Sequence, residues 1–116
     1  MPIALKRAYD DPAPSDGTRI LVDRIWPRGL TKEAAQIDLW LKEVAPSTAL
    51  RKWYGHDPEK WPDFQQKYRA ELEGNPAVDE LRAMAKKEKV TLVFAAKDEK
   101  HANSVVLREV LQNKQG

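Results

Sequence analysis

The chain has 116 residues, 20 of them Lys or Arg and 18 Asp or Glu, for a net charge of only +2. That length fits a single domain spanning residues 1–116, and so even a charge balance gives no argument by itself for a nucleic-acid partner. Cysteine is absent, which excludes a disulfide framework, a thiolate zinc site and cysteine catalysis.

The start Met1-Pro2-Ile3-Ala4-Leu5 lacks the apolar core of a secretory signal, and no run approaches membrane-spanning length. A cytoplasmic location with no membrane partner is the expectation. Residues 3–9 form the first expected strand, followed by a run of turn formers over 10–17, Asp-Asp-Pro-Ala-Pro-Ser-Asp-Gly. Residues 18–25 form the second. The link between them is too short for a crossover helix, which leaves an antiparallel hairpin or a parallel pair joined by an extended loop.

Thr31 caps a helix expected over 32–42, with Ala34, Ile37 and Leu41 at helical spacing. Ser47 caps a short second helix that Gly55 ends. Asp57 and Pro58 open a third, whose stripe is Trp61, Phe64, Tyr68 and Leu72, with Pro62 tightening its start. Asn75-Pro76 opens a fourth, with Val78, Leu81 and Ala85 facing inward. The third strand, 90–96, is almost wholly apolar, as suits a central strand covered on both faces. Asp98 caps the last helix, with Ala102, Val105, Val106 and Val110 as its buried side, and residues 113–116 are expected to be disordered. The sum is an α/β layered domain, with a short, mostly parallel sheet of about three strands and about five helices.

Two of these strands end in polar and aromatic residues, and α/β folds place binding sites past the C-terminal ends of strands. The second strand ends in Asp23-Arg24-Ile25-Trp26-Pro27-Arg28-Gly29. Two guanidinium groups beside an indole suit a phosphate or carboxylate, although Arg24 also has Asp23 beside it and a tryptophan before a proline often simply packs. The third strand ends in Lys97-Asp98-Glu99-Lys100-His101. His101, expected in the first helical turn, would stay neutral there and accept a proton. His56-Asp57, next to Arg51, Lys52 and Trp53, offers a further basic and aromatic cluster. The candidates for acid–base chemistry are therefore His101 and Asp23. The candidates for holding a ligand are Arg24, Trp26, Arg28, Trp53, His56, Lys97 and Asp98. No glycine-rich phosphate loop, Gly-x-Ser-x-Gly elbow or His-x-x-x-His pair occurs, so no metal and no cofactor are expected.

The runs Leu21 to Gly29, Asp38 to Ser47, Leu50 to Pro58 and Ala95-Ala96-Lys97-Asp98 with His101 are specific. The chain resembles the YeaO-like bacterial proteins, within the family called domain of unknown function 488, over nearly its whole length. The resemblance implies a small cytoplasmic α/β domain without an established activity. The wider family carries an Asp-x-Arg-x-x-Pro-Arg pattern at the second strand, and often a Glu and a Cys-His-Arg run near the last helix. Here the Cys is absent, Ala96 stands at the acid's place and only His101 matches.

The function expected first is binding of a small anionic ligand, phosphorylated or nucleotide-like, at the C-terminal edge of the sheet. Arg24, Arg28 and Lys97 would hold the anion, Trp26 or Trp53 would wall the pocket, and His101 would supply any acid–base step. The alternative is a module without chemistry that binds nucleic acid or protein through Arg19, Arg24, Arg28, Arg51, Lys52 and exposed aromatics. A third possibility is that the tryptophans form an oligomer interface.

Overall fold

A computed structural model describes residues 3–112, so the tail expected to be disordered lies outside the described residues. Four strands form one parallel sheet: β1 (Ile3–Arg7), β2 (Thr18–Leu21), β3 (Leu39–Trp40) and β4 (Val90–Phe94). Their order is β1-β4-β2-β3. Five helices accompany them: α1 (Lys32–Ala35), α2 (Thr48–Tyr54), α3 (Trp61–Leu72), α4 (Pro76–Lys87) and α5 (Asn103–Gln112). The α/β class and the parallel sheet are as the sequence implies, with one strand more than expected.

The last strand in the chain sits at the centre. β4 pairs with β1 from Ile3↔Val90 to Arg7↔Phe94, and with β2 from Thr18↔Val90 to Leu21↔Val93. β1 and β2 are therefore neither a hairpin nor neighbours, because β4 lies between them. All five β4 residues are buried, as a strand covered on both faces requires.

Strand alternation sorts the core into two layers. Ile20 and Leu92 belong to the larger layer with Leu50, Phe64, Tyr68, Leu81 and Leu107 from the helices. Leu21 and Val93 face the other way, under Trp26, Leu30, Ile37 and Trp40. The loop between β2 and β3 thus takes the place of a helical layer. Its two indoles pack edge to face, centroids 5.4 Å apart. Trp26 and Trp40 are half-buried against this layer.

The helix expected over 32–42 is a correction. Thr31 does cap it, accepting from the Ala34 N–H at 3.0 Å, but it stops at Ala35 and Gln36 turns left-handed at φ 48°. Tertiary bonds explain the break. The Arg19 guanidinium donates to the Ala35 carbonyl at 3.1 and 2.8 Å. The Arg19 N–H donates to the Asp38 carboxylate at 2.8 Å, and the Asp38 N–H donates to the Arg19 carbonyl at 2.9 Å. These bonds draw the chain out of helix and alongside β2 as β3. Other signals act where they stand: Ser47 caps α2, Gly55 ends it at φ 53°, and Asn75 caps α4. Asp57 caps a 3-10 turn, Pro58–Lys60, that runs straight into α3 and tightens its start.

The N-terminal edge of the sheet is closed by charge. Asp16 is 7% exposed and accepts from the Ala13 N–H at 2.9 Å, Lys6 at 3.1 Å and Arg19 at 2.7 Å. Burial alone would raise its carboxyl, but those three donors outweigh burial and hold it below the ordinary 3.8. A lowered folded value means stability that is complete above the unfolded value and lost as pH falls through the folded one. Asp16→Asn leaves Arg19 buried without its carboxylate and is expected to cost about 3 kcal/mol at pH 7. Urea denaturation should show the difference from wild type narrowing below about pH 4; a difference unchanged down to pH 3 would contradict the assignment.

Candidate functional site

At the C-terminal edge the ladder gives way to side chains. The last backbone rung between the central strands is Val22 N–H to Val93 carbonyl at 3.1 Å. Two residues on, the register would pair Asp23 with Ala95. Instead the Asp23 carboxylate takes the Ala95 N–H at 2.8 Å, and the two chains part. The space between them is a cavity of about 350 Å³.

One wall is the loop after β2. The Trp40 indole N–H holds the Asp23 carbonyl at 2.7 Å. Arg24 donates to the Pro46 and Ala45 carbonyls at 3.2 and 3.3 Å, fastening the loop to the approach to α2. The Trp26 indole N–H is spent on the Leu30 carbonyl at 2.6 Å. The Tyr9 hydroxyl donates to the Arg28 carbonyl at 2.9 Å. The backbone of this wall is therefore pinned, while the Arg28 guanidinium makes no hydrogen bond or ion pair with the described residues.

The second wall follows β4. Ala95 and Ala96 lead into an exposed turn in which Asp98 accepts from the Lys100 and His101 N–H groups at 3.0 and 3.2 Å. Asp98 caps this turn and not the last helix, because α5 begins only at Asn103. His101 thus precedes the helix instead of lying in its first turn, which corrects the dipole expectation. Its Nδ1 lies 2.6 Å from the Asp98 carboxylate. An ionised carboxylate only accepts, so Nδ1 is the donor of this pair, and in the neutral form of the ring Nε2 is the acceptor. The His101 ring hydrogen bond, with the two N–H groups, holds Asp98 below the usual carboxylate range. Trp61 packs edge-on against the imidazole at 5.3 Å, and the Tyr54 hydroxyl donates to the His101 carbonyl at 2.9 Å. Burial and the nearby Asp98 and Asp57 charges push the Tyr54 phenol up to about 12, so it stays a neutral donor.

The third wall is α2 and the turn after it. Arg51 and His56 line the cavity. His56 follows Gly55 and is itself left-handed at φ 58°, an unusual conformation for a residue with a side chain. The Arg51 guanidinium, like that of Arg28, makes no hydrogen bond or ion pair with the described residues. Asn103 spans the floor, donating to the Val22 carbonyl at 3.2 Å.

Asp23, Arg24, Trp26, Arg28, His56 and His101 therefore share one cavity. Trp53 and Lys97 lie outside its lining. Trp53 is an exposed residue of α2 with Lys60 and Lys67 over its ring, at 5.1 and 5.3 Å. Lys97 is exposed in the turn beyond β4, and Asp98 reaches the cavity only through His101. Tyr9, Tyr54 and Asn103 are not among the sequence candidates, and Arg51 stands there only in the alternative nucleic-acid or protein module; the fold adds all four to this cavity. Among the described residues there is no group of three or more acidic or histidine side chains placed to hold a metal ion, and no helix is long and apolar enough to cross a membrane.

A family model described as the inactive DUF488-N3 subclade matches residues 2–115. The chain belongs to this family. It is 41% identical over 118 residues to the uncharacterized protein YeaO of Escherichia coli, covering 97% of this chain and 99% of that one. It is 39% identical over 112 residues to uncharacterized proteins of Mycobacterium tuberculosis and Mycobacterium bovis, covering 97% of this chain and 95% of each. No solved structure matches.

Burial, the largest influence, raises the Asp23 carboxyl above 3.8, partly offset by the Ala95 N–H, the Asn103 side chain and the His56 and Arg51 charges. With a raised folded value, the ionised form costs stability at neutral pH, and the cost disappears as pH falls to the unfolded value. Asp23→Asn keeps an acceptor for Ala95 and is expected to match wild type or exceed it by up to ~1 kcal/mol at pH 7, the advantage fading toward pH 4. Asp23→Ala strands that N–H and should cost about 1–3 kcal/mol. Urea denaturation of both variants checks this; Asp23→Asn proving the less stable of the two at pH 7 would contradict it.

Proposed function

We propose that this protein binds a small anionic ligand, phosphorylated or nucleotide-like, in the cavity at the C-terminal edge of its sheet. The observation that carries this is the presence of two uncommitted guanidinium groups, Arg28 and Arg51, in one concavity with His56 and His101. Elsewhere the same chain engages all three guanidinium nitrogens of a buried arginine, as at Arg19. Uncommitted, forked donors in a cleft suit an oxyanion. The start of α5 lies in the same lining, and its positive end adds to the field. Arg24 shapes the cleft through the Ala45 and Pro46 carbonyls and contributes a nearby charge.

Recognition rather than turnover is the better supported role. The matched family is described as inactive. Ala96 lies in the lining where the resemblance would place an acid. Asp98–His101 then acts as a preset acceptor for a ligand hydroxyl or N–H. A nucleic-acid groove has less in its favour: the net charge is +2 and the exposed Trp53 ring is already covered by two lysines.

Calorimetric titration with phosphorylated small molecules tests the proposal. Binding is expected tighter than about 1 mM and weaker as salt rises. Arg28→Ala and Arg51→Ala should each lower affinity about tenfold or more, the usual worth of a hydrogen bond to a charged group. Affinity unchanged in both variants, or no anion bound, would rule the site out.

A further inference from the structure

Arg28, Arg51 and the imidazoles leave the apolar part of the cavity lining without a role. Three large hydrophobic side chains are exposed among the described residues: Ile25 at 55%, Tyr9 at 43% and Trp53 at 38%. Trp53 has its lysines. The other two both line this cavity. Isolated exposed apolar residues need no explanation, but two that line one concave site suit the apolar part of a ligand.

The Tyr9 side chain and the loop that carries Ile25 are held in place. The Tyr9 hydroxyl is tied to the Arg28 carbonyl at 2.9 Å, and the Arg7 guanidinium lies 5.4 Å from the centre of its ring. Arg7 is itself anchored on the Ala96 carbonyl at 3.0 Å. Ile25 follows Arg24, whose guanidinium is fixed to the Ala45 and Pro46 carbonyls. An apolar rim built on anchored backbone favours a rigid, flat ligand part, because little side-chain freedom is lost on contact. The rim shares its loop with Arg28, so the apolar part and the anion of one ligand must lie within a few residues' reach of each other.

We propose that the ligand is a nucleoside monophosphate, its phosphate on Arg28 and Arg51 and its base against Ile25 and Tyr9. This rests on the anion site proposed above and names the ligand class for it. At about 350 Å³ the cavity is near the lower end of ligand pockets, which suits one nucleotide and not a polymer. Asp23 and Asn103 supply polar partners on the floor for ribose hydroxyls or base N–H groups. Inorganic phosphate and sugar phosphates satisfy only the arginines and are expected to bind weakly.

The test is calorimetry on the full chain with AMP, GMP, adenosine, ribose 5-phosphate, inorganic phosphate and a short single-stranded oligonucleotide. One of the two monophosphates is expected to bind about tenfold or more tightly than ribose 5-phosphate and than adenosine, since burying a base or a side chain of Ile25's size is worth at least that factor. Ile25→Ala, at an exposed position that folding does not depend on, should cut that preference about threefold or more and leave ribose 5-phosphate unchanged. Equal binding of ribose 5-phosphate and both monophosphates overturns the nucleotide assignment while the anion site stands. Adenosine binding as tightly as AMP overturns the phosphate's place on the arginines. An oligonucleotide that binds more tightly than either monophosphate overturns a free nucleotide. No binding of any anion overturns both proposals.

Discussion

The hydrogen bond from the Ala95 N–H to the Asp23 carboxylate is the constraint on which the rest of this structure turns. Continuing the β2–β4 register would bring residues 23 and 95 together as one more rung. A side chain occupies that rung, so the ladder ends without orphaning a buried donor, and the two strands separate. Two walls of the cavity follow from that parting: the loop from Arg24 to Arg28 on one side, and Ala95, Ala96 and His101 to Asn103 on the other. The Trp40 indole fixes the Asp23 backbone and Asn103 ties the start of α5 to Val22. A carboxylate that is costly to ionise has been kept at the one point where the sheet must open.

The two edges of the sheet treat their charges in opposite ways. At the N-terminal edge Arg19 is 3% exposed and its guanidinium is engaged by Asp16 and by the Ala35 carbonyl. That arrangement fixes geometry. At the C-terminal edge Arg28 and Arg51 are exposed and uncommitted, while neighbouring backbone is tightly held. On the proposed function, stability and recognition are divided between the ends of the same strands, the arrangement expected where parallel strands present a crevice.

The sequence was legible where local chemistry decides. The apolar run at 90–94, the caps at Thr31, Ser47 and Asn75 and the stop at Gly55 all act within a few residues of themselves. The short strand Leu39–Trp40 was not legible, because Ala34, Ile37 and Leu41 carry a helical period that Arg19 and Asp38 override from a distance. Nor could the placement of β4 between β1 and β2 be read locally, since it joins segments some seventy residues apart. At the candidate site, the two polar strand ends are the ones that border the cavity. Arg51 looked like a solvated residue because only the packing of α2 brings it over the cavity. Lys97 follows the third strand as directly as the sequence implies, but it is exposed beside the turn that Asp98 caps and outside the cavity lining.

The most direct test is a nitrogen-15 chemical-shift map of the full chain titrated with AMP and, separately, with GMP. For the monophosphate that binds, the account predicts that perturbed backbone signals concentrate on residues 23–28, 51–56 and 95–103, with the sheet's opposite edge around Asp16, Arg19 and Asp38 unmoved. Perturbations centred on that opposite edge, or scattered over exposed lysines with no focus at the parted strands, would contradict it.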